Sequence, residues 1–263
     1  MPTHAHQDHC GKPLFSVPDL CTDWAFFLDV DGTLLDYAPT PDTVLVDARV
    51  RRLIERLQRF SEGALALISG RAASDIDRLF DPLRTALAGQ HGVERRDARG
   101  AWHRHSLPED GLRAAARELS RLAEAHRGLV FEDKGLNLAV HYRLDPSLGP
   151  EVERLMRRQV GELGPQFELQ GGKMIWEIKP SGRDKGLSVS EFMQEPPFAG
   201  RAAVFIGDDV TDESAFGAVN RLGGVSIKVG AGDSSARYRL PDAEAVRRWL
   251  ESWTDWMAAT ACP

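Results

Sequence analysis

Four apolar residues in succession, Ala25 to Leu28, end abruptly on Asp29-Val30-Asp31-Gly32-Thr33. A short continuous apolar run closed by polar residues and a glycine predicts a strand buried on both faces, opening at its carboxyl end into a tight turn. The pattern recurs at Ala64 to Ile68, which closes on Ser69-Gly70-Arg71, and at Ala202 to Ile206, which closes on Gly207-Asp208-Asp209-Val210-Thr211-Asp212-Glu213. Thr85 to Ala88, before Gly89-Gln90-His91-Gly92, predicts a third short strand, and Val225 to Val229 a last one. Val50, Leu53, Ile54, Leu57 and Phe60 recur at helical spacing, predicting a crossover helix from about Asp47 to Phe60. Further helices are predicted from Ser69-Gly70 to about Phe80, from Asp184 to about Phe192 and from Asp242 to about Trp253. Trp249 and Trp253 share the last helix's apolar stripe with Val246 and Leu250, a spacing that reads as core packing rather than sugar stacking. Strands alternating with crossover helices make a parallel α/β sheet, whose ligands bind at the carboxyl ends of the strands.

Between about Ser106 and Pro180 the pattern changes. A helix from Pro108 to Ala125 leads to Leu129 to Glu132, the turn Asp133-Lys134-Gly135 and the alternating strand Leu136 to Arg143. A second helix, Glu151 to Leu163, leads to a hairpin carrying Phe167, Leu169, Gly171-Gly172 and Met174 to Ile178. This predicts an α+β cap over 106–180 inserted into a core formed by 18–105 and 181–257, preceded by a disordered tail over 1–17. The tail carries His4, His6, His9 and Cys10, and Pro39 and Pro41 mark a loop above the first strand end. By spacing alone Lys134 reads as a turn residue and Glu177 as part of a solvated sheet face; alternatively, with Glu132, they reach sugar hydroxyls, which both donate and accept hydrogen bonds.

Composition narrows the function classes. In 263 residues, 33 basic and 39 acidic side chains give a net charge of −6, with no electrostatic footprint for nucleic acid. No apolar run approaches a membrane span and no signal-peptide core opens the chain, so a cytoplasmic protein without membrane contact is expected. Cys10, Cys21 and Cys262 lack metal-ligand spacing.

The strand ends carry the candidate chemistry. Asp29 suits a nucleophile towards phosphorus, and Asp31 a second carboxylate able to give and take a proton. Gly32 lets the turn fold back, and Thr33 offers donors to a phosphoryl oxygen. An Asp-x-Asp-Gly alone equally fits calcium loops and plain turns. Ser69 and Gly70 at a helix start can hold an anion. Asp212 and Glu213 would cap a helix through its dipole, but adjacent Asp208 and Asp209 repel unless a cation sits between them, and hard oxygen ligands favour magnesium. Lys185 lies at a helix start, where the dipole disfavours a cation, so a phosphate nearby explains it better. His91, between glycines, reads as a turn residue outside the catalytic set.

The assembled set, Asp29-Val30-Asp31-Gly32-Thr33, Ser69, Lys185 and Gly207-Asp208-Asp209 with Asp212, resembles the four motifs of the haloacid dehalogenase (HAD) superfamily of aspartate-nucleophile phosphatases. Glu132-x-Lys134, Trp176-Glu177-Ile178-Lys179-Pro180 and Gly207 to Glu213 are similar to the bacterial trehalose-6-phosphate phosphatase family, a likeness running from about Leu14 to Trp253. The resemblance implies a Rossmann-like parallel-sheet core with an inserted α+β cap, and hydrolysis of trehalose 6-phosphate through an aspartyl-phosphate, the final step of trehalose biosynthesis. It implies Asp29, Asp31, Ser69 and Lys185 as catalytic residues, and Thr33, Ser69, Gly70 and Lys185 as phosphate ligands. It also implies Mg2+ on the Asp29 and Asp208 carboxylates and the Asp31 backbone carbonyl, with Asp209 and Asp212 around it, and sugar contacts from Glu132, Lys134 and Glu177. A monomer served by a separate trehalose-phosphate synthase is expected. A sucrose-phosphate-type or other sugar-phosphate phosphatase, a phosphohexomutase and a non-enzymatic sensor are the alternatives.

Overall fold

In the computed structural model, residues 17–37, 44–104, 109–172 and 174–260 are described. The histidine-bearing tail, Pro39, Pro41, the first turn expected at Pro108, and Cys262 lie outside them.

The apolar runs become the centre of an eight-stranded sheet. β1 (Trp24–Leu28) pairs in parallel with β10 (Ala202–Gly207) on one side and with β2 (Leu65–Ile68) on the other. β11 (Val225–Val229) and β12 (Tyr238–Leu240) extend the parallel ladder beyond β10, and β3 (Ala86–Gly89) beyond β2. β4 (Glu94–Arg96) and β5 (Trp102–Arg104) add an antiparallel margin, giving the order β12-β11-β10-β1-β2-β3-β4-β5.

β1 feeds two cores by simple alternation. Trp24, Phe26 and Leu28 face the layer of α1 (Ala48–Phe60) and α7 (Ala243–Thr260). Ala25 and Phe27 face α5 (Lys185–Phe192) and α6 (Glu213–Arg221). All five residues are buried, and full burial of a side chain such as Phe or Leu contributes about 1.5–3 kcal/mol. The run therefore fixes β1 at the sheet centre. Trp249 and Trp253 pack on Trp24 as the spacing predicts, and the Trp253 indole N–H donates to the Cys21 carbonyl at 2.8 Å.

A second sheet, antiparallel and of order β6-β7-β9-β8, is built from β6 (Val130–Asp133), β7 (Leu138–His141), β8 (Phe167–Gly172) and β9 (Ile175–Pro180). Leu138, Val140 and Ile178 face α3 (Glu109–Ala125) and α4 (Gly149–Leu163), burying one side of the sheet in its own core. Glu132, Ala139, Glu177 and Gln170 stand in one register row across all four strands, on the other face. This is the predicted cap, and that row is its polar face.

Three strands are absent from the sequence reading: β4, β5 and β12. β4 reads Glu-Arg-Arg, which signals a solvated loop, yet all three residues are buried. Their charges are met locally. Arg96 forks onto Asp77 at 2.6 and 2.8 Å, Arg95 lies over the Phe192 ring at 4.7 Å, and Glu94 accepts from the Ala73 N–H at 2.7 Å. α7 also runs past Trp253 to Thr260. Among the described residues no helix is long and apolar enough to cross a membrane.

Candidate active site

β1 and β10 run side by side, with the Asp29 N–H on the Ile206 carbonyl at 3.0 Å, so their carboxyl ends present Asp29 and Asp208 next to each other. Gly32 makes this possible. Its φ of +82° is in the left-handed region, and a Cβ there would stand 2.6 Å from Asp208 Cγ. Carboxylate oxygens of Asp29, Asp208 and Asp212 lie within 4.8 Å of one another, all three residues buried. Into this group reaches Lys185 from the first turn of α5: Nζ donates to Asp29 Oδ1 at 2.8 Å and to Asp212 Oδ1 at 2.6 Å. Those carboxylates, rather than a phosphate alone, explain a lysine at a helix start. Burial would lower its pKa, but Asp212 and Asp29 outweigh that and raise it.

The Asp29 pKa is raised as well, which in a carboxylate disfavours the charged form. Burial pushes its pKa well up, Lys185 opposes this, and the neighbouring Asp212 and Asp208 add to the rise. A cation beside Asp29 and Asp208 would relieve that repulsion, and buried carboxylates are the hard donors that Mg2+ accepts, so the residues fit the ion. The Thr33 hydroxyl stands 3.4 Å from both Asp29 Oδ2 and Asp208 Oδ1. Tyr37 Oη donates to Asp208 Oδ2 at 2.8 Å, and Lys228 Nζ donates to the Asp208 backbone carbonyl.

The four acidic residues after β10 part company. Asp212, fully buried, bridges Lys185 and the Asp209 N–H, which it accepts at 2.8 Å through Oδ2. It groups with Asp29 and Asp208, whereas Asp209 does not. Glu213 binds the Ser235 N–H at 2.9 Å instead of capping α6.

Asp31 is gripped by Arg71, with Nε on Oδ2 at 2.6 Å and Nη2 on Oδ1 at 2.7 Å. This fork raises the Arg71 pKa against the effect of burial. Ser69, buried at the end of β2, accepts the Arg71 N–H at 3.2 Å through Oγ. The Gly70 carbonyl accepts Lys134 Nζ of the cap at 3.1 Å.

Across the cleft Glu177 is 6% exposed, which contradicts a solvated sheet face; β9 is an inner strand, and its second face meets the core. Its Oε1 accepts Lys134 Nζ at 3.1 Å and Asn137 Nδ2 at 3.0 Å, and its Oε2 lies 3.1 Å from His91 Nε2. Burial alone would raise the Glu177 pKa, but Lys134, His91 and Asn137 hold it well below the carboxylate range. Lys134 is accordingly no free turn residue. Glu132, in the same register row, bonds to His141 at 2.9 Å, which with Lys134 holds its pKa down against burial. Sequence reasoning missed Arg71, Tyr37, Asn137, Gln170, Lys228 and the partnership of His91. Arg71 alone carried a signal, following Ser69-Gly70 directly.

Comparison with known proteins agrees with this geometry. The family model described as trehalose-phosphatase matches residues 27–244. The chain is 44% identical over 243 residues to the trehalose-6-phosphate phosphatase of Escherichia coli strain K12, covering 92% of this chain and 91% of that one. The C-terminal domain of C. albicans trehalose-6-phosphate phosphatase superposes with a TM-score of 0.79 at 22% identity, over 89% of this chain and 93% of that one. A haloacid dehalogenase-like hydrolase from Bacteroides thetaiotaomicron superposes with a TM-score of 0.64 at 16% identity, over 88% and 99%. These two structures establish the HAD-like fold, and the match over most of the sequence establishes more: the chain belongs to the trehalose-phosphatase family.

Proposed function

We propose that this protein is a cytoplasmic phosphatase that hydrolyses trehalose 6-phosphate to trehalose and phosphate, with 106–180 acting as the cap that selects the sugar. The observation that supports the reading is that the buried Asp29 carboxylate bonds to Lys185 and groups with Asp208, while Glu177 and Lys134 reach His91 and Gly70 in the core.

In the first half-reaction an Asp29 oxygen attacks phosphorus in line, forming an aspartyl-phosphate, and Asp31 gives a proton to the departing sugar oxygen. In the second, Asp31 takes a proton from the water that attacks the phosphorus, and phosphate leaves Asp29. The Arg71 fork holds and orients both Asp31 oxygens. Giving a proton in the first step requires one Asp31 oxygen to leave the fork. Mg2+ held by the Asp29 and Asp208 carboxylates and the Asp31 backbone carbonyl would supply charge that offsets repulsion between an anionic nucleophile and an anionic substrate. Lys185 brings its ammonium to the phosphoryl oxygens, and Ser69, Gly70 and Thr33 supply donors there. Asp212 keeps Lys185 charged and aimed. Glu132, Lys134 and Glu177 meet the hydroxyls of the sugar distal to the phosphate.

Phosphate release from trehalose 6-phosphate by Asp29→Asn tests the covalent route. The variant should keep the wild-type circular dichroism and lose turnover; full activity would overturn the assignment.

A further inference from the structure

We infer that His91 is a positioning residue for sugar recognition: by donating to Glu177 it seats the cap carboxylate against the core loop that carries Ser69 and Gly70, joining the sugar side of the site to the phosphate side. This rests on the proposed function.

His91 belongs to the short turn Gln90–Gly92 that follows β3, and its φ of 58° is unusual for a residue with a side chain. Such strain persists where the surroundings hold it. Here they do so on three sides. The His91 N–H donates to the Ser69 carbonyl at 3.0 Å. Gly70 presses on the imidazole so closely that a Cβ there would stand 2.8 Å from Nε2. Nε2 itself meets Glu177 Oε2 at 3.1 Å across the junction of core and cap, with both residues buried.

The direction of the bond follows from the donor count. Glu177 already accepts from Lys134 and Asn137 and is an ionised acceptor, so the proton lies on His91 Nε2. Burial pushes the imidazole towards its neutral form, which leaves a lone pair on Nδ1. Among the described residues that atom has no hydrogen-bond partner, and the side chain's polar contact is with Glu177. Lys134 closes the circuit, bonding to Glu177 and, back in the core, to the Gly70 carbonyl. His91 also borders a cavity of about 160 Å³, shared with Gln170 of the cap row and Lys185 of the carboxylate cluster. Losing the imidazole frees Glu177 Oε2 to turn, while Lys185 keeps its contacts with Asp29 and Asp212. A substrate that needs Glu177 should suffer more than one that does not.

The test compares kcat/KM for trehalose 6-phosphate with that for 4-nitrophenyl phosphate, whose small aryl group carries no sugar to reach the cap. His91→Asn tolerates the left-handed backbone but ends one bond short of Nε2; His91→Gln restores an N–H at that reach. The ratio of the two kcat/KM values should fall about tenfold in His91→Asn, through KM for the sugar phosphate, and return towards wild type in His91→Gln. A ratio unchanged in His91→Asn, with both substrates reduced alike, would mean a structural role and overturn the inference alone. A wild-type protein without preference for the disaccharide overturns the parent reading and the inference with it. Should His91→Asn not fold, the ring 15N resonances of His91 in the intact protein decide: they should shift on saturation with trehalose, and no shift overturns the inference.

Discussion

Replacing Lys185 with methionine keeps most of the apolar stem of the side chain and removes one charge from the most buried part of the site. The ammonium contacts Asp29 at 2.8 Å and Asp212 at 2.6 Å, and the three residues are 3%, 4% and 0% exposed. At an effective dielectric near 20, each contact is worth roughly 6 kcal/mol of gross attraction. Desolvation of the three groups cancels most of that sum, and removing one partner from a buried pair typically costs about 3–5 kcal/mol. Asp29, once without the ammonium, can reduce the loss by protonation, because its pKa is already pushed upward by burial and by Asp212 and Asp208. The sign follows. A carboxylate whose folded pKa is raised loses stability as pH climbs from its unfolded value of about 3.9 to the folded one, so Lys185→Met should be more destabilised at pH 8 than at pH 4. Urea unfolding followed by circular dichroism, with chelator present so that no divalent ion stands in for the ammonium, measures both points. A loss below about 1 kcal/mol at pH 8, or a loss that shrinks as pH rises, would refute the account of the cluster.

Two further substitutions probe the strand ends and the cap. Gly32→Ala places a Cβ 2.6 Å from Asp208 Cγ at a φ of +82°, which should displace Asp208 and cost about 1–3 kcal/mol in backbone strain; kcat and the melting temperature should both fall, and an unchanged kcat would count against a site built on that turn. Glu177→Gln should be markedly less stable than wild type at pH 7, since it removes the buried negative charge beside Lys134. The Glu177 pKa is depressed in the folded state, so its contribution is present above the unfolded value of about 4.3 and fades as pH falls towards the folded one. Urea titrations should therefore show the gap between wild type and variant closing by up to about 1.4 kcal/mol per pH unit below pH 4, and a gap independent of pH would contradict the assignment.

What was legible in the chain follows from where physical constraint is local. Ala25 to Leu28 could be read because a strand buried on both faces must be apolar throughout, and Asp29 could be read because carboxylates directly after such a strand have few structural uses. β4 was illegible for the opposite reason. Glu94, Arg95 and Arg96 are made tolerable in the interior by Ala73, Asp77 and Phe192, which lie 19 to 97 positions away, and no local pattern reports that. Glu177 is intermediate. Its alternation with Trp176 and Ile178 places it on the second face of β9, but whether that face meets water or the core depends on how the cap sits. His91 shows the limit most clearly, since a histidine between glycines has the same local signature whether it decorates a turn or bonds across two parts of the fold.

The most direct test of the whole account is phosphate release from trehalose 6-phosphate set beside glucose 6-phosphate, mannose 6-phosphate and sucrose 6-phosphate, first with Mg2+ and then with chelator. Trehalose 6-phosphate should be strongly preferred, with release lost on chelation and restored by added Mg2+. Equal release from all four substrates would contradict the role given to Glu132, Lys134 and Glu177. Release that survives chelation would contradict the role given to Asp29 and Asp208, and no release from any of them would contradict the phosphatase reading itself.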